Sequence, residues 1–214
     1  MKLKNLITKK KSFKEWKKLS KLNNVIIKDI KYKSLVNRNY CDFSISTIDT
    51  TLIYKKKIYK RVVQLEGTSI VIIPIIYTKN KVKTLLVSQF RAPLAKENYE
   101  FPSGGAEFVN LKKSAQKEIF EETGLSIPLN KIKQLNRKGI FMLPANNYSR
   151  VFFFYFKKKL EKKMINEFNS KIFGKQNDGE FLKIKLVDFE DIFNVSSSAS
   201  VIIGQTLLKK NGIL

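Results

Sequence analysis

The chain has 214 residues, no histidine and a single cysteine, Cys41. Catalysis by Ser-His-Asp or Cys-His arrangements is therefore excluded, as are imidazole zinc ligands, an internal disulfide and a cysteine zinc cluster. Forty-two Lys and Arg against 18 Asp and Glu give a net charge of +24, which attracts polyanions, and leave carboxylates, hydroxyls, cationic side chains or an oxygen-held hard metal to carry any chemistry.

At 43% hydrophobic and 12% aromatic residues the chain can bury a core, and its length suits one domain or one domain with a small appendage. The densest basic stretch is the first, MKLKNLITKKKSFKEWKKLSKLNN, where Glu15 is the only acid. It has no apolar core of a signal peptide, and no run in the chain approaches the ~20 apolar residues of a membrane helix. A cytoplasmic protein without membrane attachment is expected. Residues 1–39 read as a basic segment. A solvated amphipathic helix is favoured there over a nucleic-acid surface, because lysine is spread along the whole chain.

Residues 40–64 read as extended, with TLIYKKKIYKRVVQ forming two short strands around a lysine turn. Thr68–Tyr77 is a β-branched run expected to be a buried strand, followed by a turn (TKNKVK) and a second strand at Thr84–Gln89. Phe101–Gly105 reads as a Pro/Gly loop. Leu111–Thr123 has helical composition and stops at Gly124, a residue suited to a left-handed cap. Gly139–Asn147 reads as a loop, Val151–Phe156 as an apolar core strand, and Ile165–Gly179 as polar and flexible. Phe181–Val187 alternates as a strand, and Ala199–Lys210 is the expected final helix. Interleaved strands and helices predict an α/β (α+β) sandwich.

Within Leu111–Thr123, Glu118, Glu121 and Glu122 fall at i, i+3 and i+4, on one side of the helix, while Ala115 and Ile119 point to an adjacent side and anchor it. Like charges at i, i+4 repel, and carboxylates in the last turns oppose the helix dipole. A divalent cation such as Mg2+ or Mn2+ would relieve both effects. Upstream, Glu100-Phe101-Pro102-Ser103-Gly104-Gly105 gives a backbone that a metal or phosphate can approach closely.

These segments resemble the Nudix hydrolases. The signature of that family is Gly, five residues, Glu, seven residues, then Arg-Glu-apolar-any-Glu-Glu-any-Gly-apolar; Gly104 and KEIFEETGL supply most of it. The resemblance spans roughly residues 58–210 and is closest to the ADP-ribose pyrophosphatase branch, through Gln89-Phe90-Arg91, Glu100–Gly104, Gly179–Leu182 and Ser200–Ile203. Two departures stand out. Lys117 replaces the signature Arg, and Val109 or Asn110 stands where the earlier Glu belongs, with one residue deleted between Gly104 and Lys117.

The resemblance implies a Nudix-type α/β/α sandwich with a mixed central sheet over residues 65–214, plus a small N-terminal β subdomain. It implies that the strands at 40–64 are exchanged across a homodimer. It also implies Mg2+-dependent hydrolysis of the diphosphate of ADP-ribose or a related nucleoside diphosphate sugar. Glu118 and Glu122 would ligate the metal, Glu121 would be a further ligand or a brace behind the ligands, and the Ser103 carbonyl would complete the shell. Lys117 would steady the carboxylates, and Glu180, with Asp178 as the fallback, would be the general base. Arg91, Arg61, Gly104 and Gly105 would face the substrate. The alternatives are a catalytically weakened module binding nucleotide or RNA, and a Nudix enzyme for GDP-mannose, a dinucleoside polyphosphate or capped RNA.

Overall fold

A computed structural model describes residues 2–37, 44–78, 81–106, 108–174 and 181–214. In chain order the elements are α1 (Lys2–Lys9), α2 (Lys11–Leu22), β1 (Ile26–Asn37), β2 (Ser44–Tyr54), β3 (Lys57–Tyr77), β4 (Val82–Arg91), β5 (Lys96–Glu100), β6 (Ser103–Gly105), α3 (Leu111–Thr123), β7 (Lys133–Gln134), β8 (Ile140–Phe141), β9 (Asn147–Lys159), α4 (Lys162–Ser170), β10 (Lys183–Asp188), α5 (Ile192–Val195) and α6 (Ala199–Lys210). The chain divides into two compact units: Met1–Ser69 with Gly139–Val151, and Ile70–Lys138 with Phe152–Leu214. Strands β3 and β9 each contribute to both.

In the first unit β1, β2 and the early part of β3 form an antiparallel meander, paired from Ile26↔Ile53 to Asn37↔Ser44 with register shifts at Ile27/Asp29 and Tyr32/Ser34, and from Ser46↔Leu65 to Tyr54↔Lys57. Its core gathers Ile48 and Leu65 from the strands, Ile7, Phe13 and Trp16 from the helices, and Tyr148. Phe13, Trp16 and Ser20 follow an i, i+3, i+7 spacing, and all three are buried. The sequence expectation of a solvated amphipathic helix is corrected in one respect. There are two helices, broken at Lys10, whose φ of −66° and ψ of 141° are extended, and their apolar side is packed into a core.

The second unit is built on both faces of a sheet. Strand β4 pairs antiparallel with β3 at Ile76↔Lys83, with β10 from Lys183↔Ser88 to Asp188↔Lys83, and with β5 from Val87↔Glu100 to Arg91↔Lys96. Alternation along β3 and β4 sends Ile70, Ile72, Ile76, Leu85 and Val87 to one face, where they pack with Ala115 and Ile119 of α3 and with Phe154 and Phe156 of β9. The opposite face meets α6 so closely that a Cβ on Gly204 would lie 2.9 Å from both Ile73 and Phe101.

The result is a mixed α+β fold with a large, mainly antiparallel sheet and several helices, as expected. Helix α3 and its stop fall at the expected residues, and Gly124 takes a φ of 68°. Three local expectations change. Part of the 101–105 loop is the short strand β6, set beside β3 by a hydrogen bond from the Ile72 amide to the Pro102 carbonyl (2.8 Å). Residues 162–170 are helical rather than flexible, because Phe168 buries itself in the core and orders the segment. The 139–147 loop contains β8, paired with β9. Among the described residues no helix is long and apolar enough to cross a membrane.

The lysine turn between β2 and β3 carries backbone strain. Lys55 and Lys56 take φ of 49° and 62°, the two left-handed residues of a type I′ hairpin. A residue with a Cβ is disfavoured there by about 1–2 kcal/mol, and Asn-Gly is the favoured pair. The double substitution Lys55→Asn, Lys56→Gly should therefore stabilise the protein by about 1 kcal/mol, raising Tm by roughly 2–4 °C in a thermal melt. An unchanged or lowered Tm would contradict the turn assignment.

Candidate active site

Helix α3 is fixed at both ends before any functional side chain is considered. The Asn110 side chain caps its start by accepting a hydrogen bond from the Lys112 amide (3.0 Å), and the Gly124 amide closes its end on the Phe120 carbonyl (2.8 Å). Ala115 and Ile119 are fully buried. This anchoring sets the direction in which the three glutamates leave the helix.

Glu118 and Glu122 turn toward β6. Glu122 is only 7% exposed, and its Oε2 accepts a hydrogen bond from the Ser103 amide at 3.0 Å. The Glu118 carboxylate lies over Gly104: a Cβ at that position would stand 2.4 Å from its carboxyl carbon and Oε1. Only a residue without a side chain leaves that space open. Glu121 leaves the helix on the far edge of the acidic arc, where Lys117 Nζ stands 3.6 Å from its Oε1. The three carboxylates thus share a side of the helix but split into a pair against β6 and a third paired with lysine. Among the described residues no three His, Cys, Asp or Glu side chains form a ready-made metal cage. The donors at β6 are all oxygen, and they suit a hard divalent cation.

The other expected residues are placed as follows. Arg91 forks onto Glu100, with Nε to Oε1 at 3.0 Å and Nη2 to Oε2 at 2.6 Å, and Asn98 adds a bond to the same carboxylate at 3.0 Å. Arg61, in the first unit, is exposed, donates to the Lys60 carbonyl and lies over the Tyr59 ring. Gly105 ends β6. Glu180 and Asp178 lie outside the described residues. Val109, one of the two residues standing where the signature Glu belongs, is 97% exposed.

Two features were not anticipated from the sequence. Glu100 was noted as part of a motif, but its pairing was not, because only the β4–β5 ladder brings it to Arg91. A cavity of about 360 Å³, lined by Phe108, Lys113, Gln116, Lys117, Phe120, Ser126 and Ile127, opens on the opposite side of α3 from Glu118 and Glu122. Phe120, on its rim, is 60% exposed, which the sequence does not disclose.

Two measurements follow. Gly104→Ala should leave the fold intact, since the atoms nearest its Cβ are the end of a flexible side chain, yet it must displace Glu118. Tm should stay within about 2 °C of wild type while divalent-cation affinity, read by calorimetry, falls about 10-fold or more. Unchanged affinity would remove Glu118 from any metal site. The second concerns acid stability. Burial acts to raise the Glu100 carboxyl, but the hydrogen bonds and charge of Arg91, joined by Asn98, outweigh it and hold the group below the usual carboxylate range. A depressed folded-state value contributes stability above the unfolded value, about 4.3, and that stability is lost as pH falls through the folded one. In urea unfolding from about pH 6 to 2, wild type should lose stability more steeply below about pH 4.3 than Glu100→Gln does. Parallel profiles would show that the pair contributes nothing.

Comparison with known proteins adds the family. Residues 67–203 match the NUDIX domain. Nudix hydrolase 14, chloroplastic, of Arabidopsis thaliana is 23% identical over 152 residues, covering 64% of this chain; the chain spans only about half of that relative, 47% of its length. Among solved structures, an ADP compounds hydrolase superposes with a TM-score of 0.59 at 13% identity, over 89% of this chain and 97% of its own. The NUDIX domain of Shewanella oneidensis NrtR, complexed with ADP ribose, gives 0.53 at 14% identity, over 68% and 87%. At these identities the structural likeness speaks for the fold alone. The domain match covers well over half of the chain, and it falls on the helix and glycine strand that carry the paired glutamates: the protein belongs to the Nudix family.

Proposed function

We propose that the protein is a divalent-metal-dependent pyrophosphatase, using Mg2+ or Mn2+, that hydrolyses the diphosphate bond of ADP-ribose or a related nucleoside diphosphate sugar. The products would be a nucleoside monophosphate and a sugar phosphate. The observation that carries this reading is the seating of the Glu118 carboxylate over Gly104 beside the buried Glu122. Of the two structural neighbours, one is an ADP compounds hydrolase and the other is complexed with ADP ribose, which agrees with the substrate class.

Glu118 and Glu122 would hold the metal with the Ser103 carbonyl, and Glu121, at the far edge beside Lys117, would be a further ligand or a brace behind them. Bound there, a divalent cation supplies neutralisation of the diphosphate charge and a lowered pKa for water. Lys117 restrains Glu121 through their 3.6 Å contact. As a lysine it provides a point charge without the planar fork of arginine. Gly104 and Gly105 would lie beside the substrate, the space a Cβ would take on Gly104 being filled by the Glu118 carboxylate. Arg91, oriented by Glu100, and Arg61 would contact the substrate. With no histidine in the chain, no imidazole can take the proton from the attacking water, and the resemblance gives that role to Glu180, with Asp178 as the substitute. Exchange of residues 40–64 across a homodimer belongs to the same reading, from the resemblance, and a cytoplasmic setting from the composition.

Turnover assays with Mg2+ over ADP-ribose, GDP-mannose, a dinucleoside polyphosphate and capped RNA test the proposal. ADP-ribose should yield AMP and ribose 5-phosphate. Glu118→Gln and Glu122→Gln should each lower kcat by about 100-fold or more, close to 3 kcal/mol of transition-state stabilisation. Glu180→Gln should lower kcat comparably and remove the acidic limb of the pH profile. Retained turnover in Glu180→Gln would reassign the base to Asp178. Hydrolysis of none of the four substrates would overturn the enzyme reading in favour of a binding module.

A further inference from the structure

We propose that the outward side of α1 and α2 is a docking strip for the phosphate backbone of nucleic acid. The proposal concerns the first unit alone and stands independently of the pyrophosphatase reading. In α2 the lysines are positions 11, 14, 17, 18 and 21, all exposed, and they make five of its twelve residues; the chain as a whole has 42 basic residues in 214. At about 100° per residue the five fall within an arc of roughly 120°. Phe13, Trp16 and Ser20 occupy the opposite arc and are buried. Lys2, Lys4 and Lys9 of α1 are also exposed.

What distinguishes this strip from a generally lysine-rich surface is the treatment of its one acid. Glu15 is the sole carboxylate of both helices, and Arg150 engages it at 3.0 Å. The one group that would offset the lysines locally is therefore neutralised by a cation from elsewhere in the unit. From Lys11 to Lys21 the helix rises about 15 Å, close to the length of four phosphates along one strand of a duplex at about 3.4 Å each.

An anionic membrane is the competing occupant, and the packing argues against it. A helix lying in a bilayer interface buries its apolar arc in lipid. Here that arc is already buried in the protein, and the apolar residues left exposed on α2 are Leu19 and Leu22, near its end. The interaction available to the strip is charge with charge.

The test is fluorescence anisotropy with a labelled mixed-sequence RNA of about 20 nucleotides, and with a duplex DNA of the same length, from about 50 to 300 mM KCl. Binding should weaken with salt at a log–log slope near −0.7 to −0.9 per phosphate contacted. The triple variant Lys14→Glu, Lys18→Glu, Lys21→Glu should lose at least about 10-fold in affinity at 100 mM KCl. Its slope should flatten by about 2 to 3. A control triple in the other unit, Lys131→Glu, Lys133→Glu, Lys157→Glu, changes net charge equally and should lose under about 3-fold. If the Glu triple melts early, Lys14→Gln, Lys18→Gln, Lys21→Gln gives the same reading without charge reversal. Three results would overturn the proposal: equal losses in both triples, which would assign binding to net charge; no binding to either nucleic acid; or binding only to phosphatidylserine vesicles. Diphosphate hydrolysis in the α2 triple should be unchanged, so failure of this proposal is separate from failure of the enzyme reading.

Discussion

The candidate site depends on the approach of two helical carboxylates to the backbone of β6, Glu122 at the Ser103 amide and Glu118 over Gly104. From sequence, the crowding of Glu118, Glu121 and Glu122 in the last turns of a helix looks unfavourable. Repulsion at i, i+4 costs about 0.2–0.5 kcal/mol, and the dipole adds about 0.3–1. The geometry changes that ledger. A hydrogen bond from the Ser103 amide to the Glu122 carboxylate contributes about 1.5–3 kcal/mol, enough to offset both effects at that residue. Lys117 offsets part of the charge at Glu121. The cluster therefore has a stabilising partner in the protein itself, and a divalent cation is not needed to make the helix stable. What the cation would add is function, at the place where Glu118 crosses Gly104.

The same contact explains why β6 matters despite being three residues long. Its pairing with β3 and the Pro102 carbonyl's bond to the Ile72 amide tie the glycines to a strand whose neighbouring residues are core. Helix α3 is anchored to that same core by Ala115 and Ile119. Glycine strand and acidic helix are therefore positioned by one hydrophobic cluster. A carboxylate held on rigid elements keeps its geometry better than one on a loop.

Much of this arrangement was legible in the sequence where a single local signal decides structure. Leu111–Thr123 could be bounded because a periodic helix ended on a glycine able to take a positive φ. Ala199–Lys210 and the long apolar strands were legible from composition and period. The misreadings have physical causes. Ser103-Gly104-Gly105 carries no hydrophobic alternation, so its pairing with β3 has no trace in the residues. Helix α4 disperses Met164, Ile165 and Phe168 among polar side chains, and only Phe168 is fully drawn into the core. The Arg91–Glu100 fork needs the β4–β5 register, which sequence spacing does not disclose.

The glutamates show the limit of helical spacing as a guide to chemistry. Positions i, i+3 and i+4 span about 100° of helix surface, enough to be called one side. Yet Glu121 sits at the edge nearest Lys117, only about 40° away, and pairs with it instead of with β6. Spacing establishes which groups are neighbours; the partner brought by the rest of the fold decides what each one does. The Glu118 carboxylate takes a space left open by an absent side chain. That absence is visible in the sequence as Gly104, but its meaning required the distance from a Cβ that is not there to a carboxylate that is.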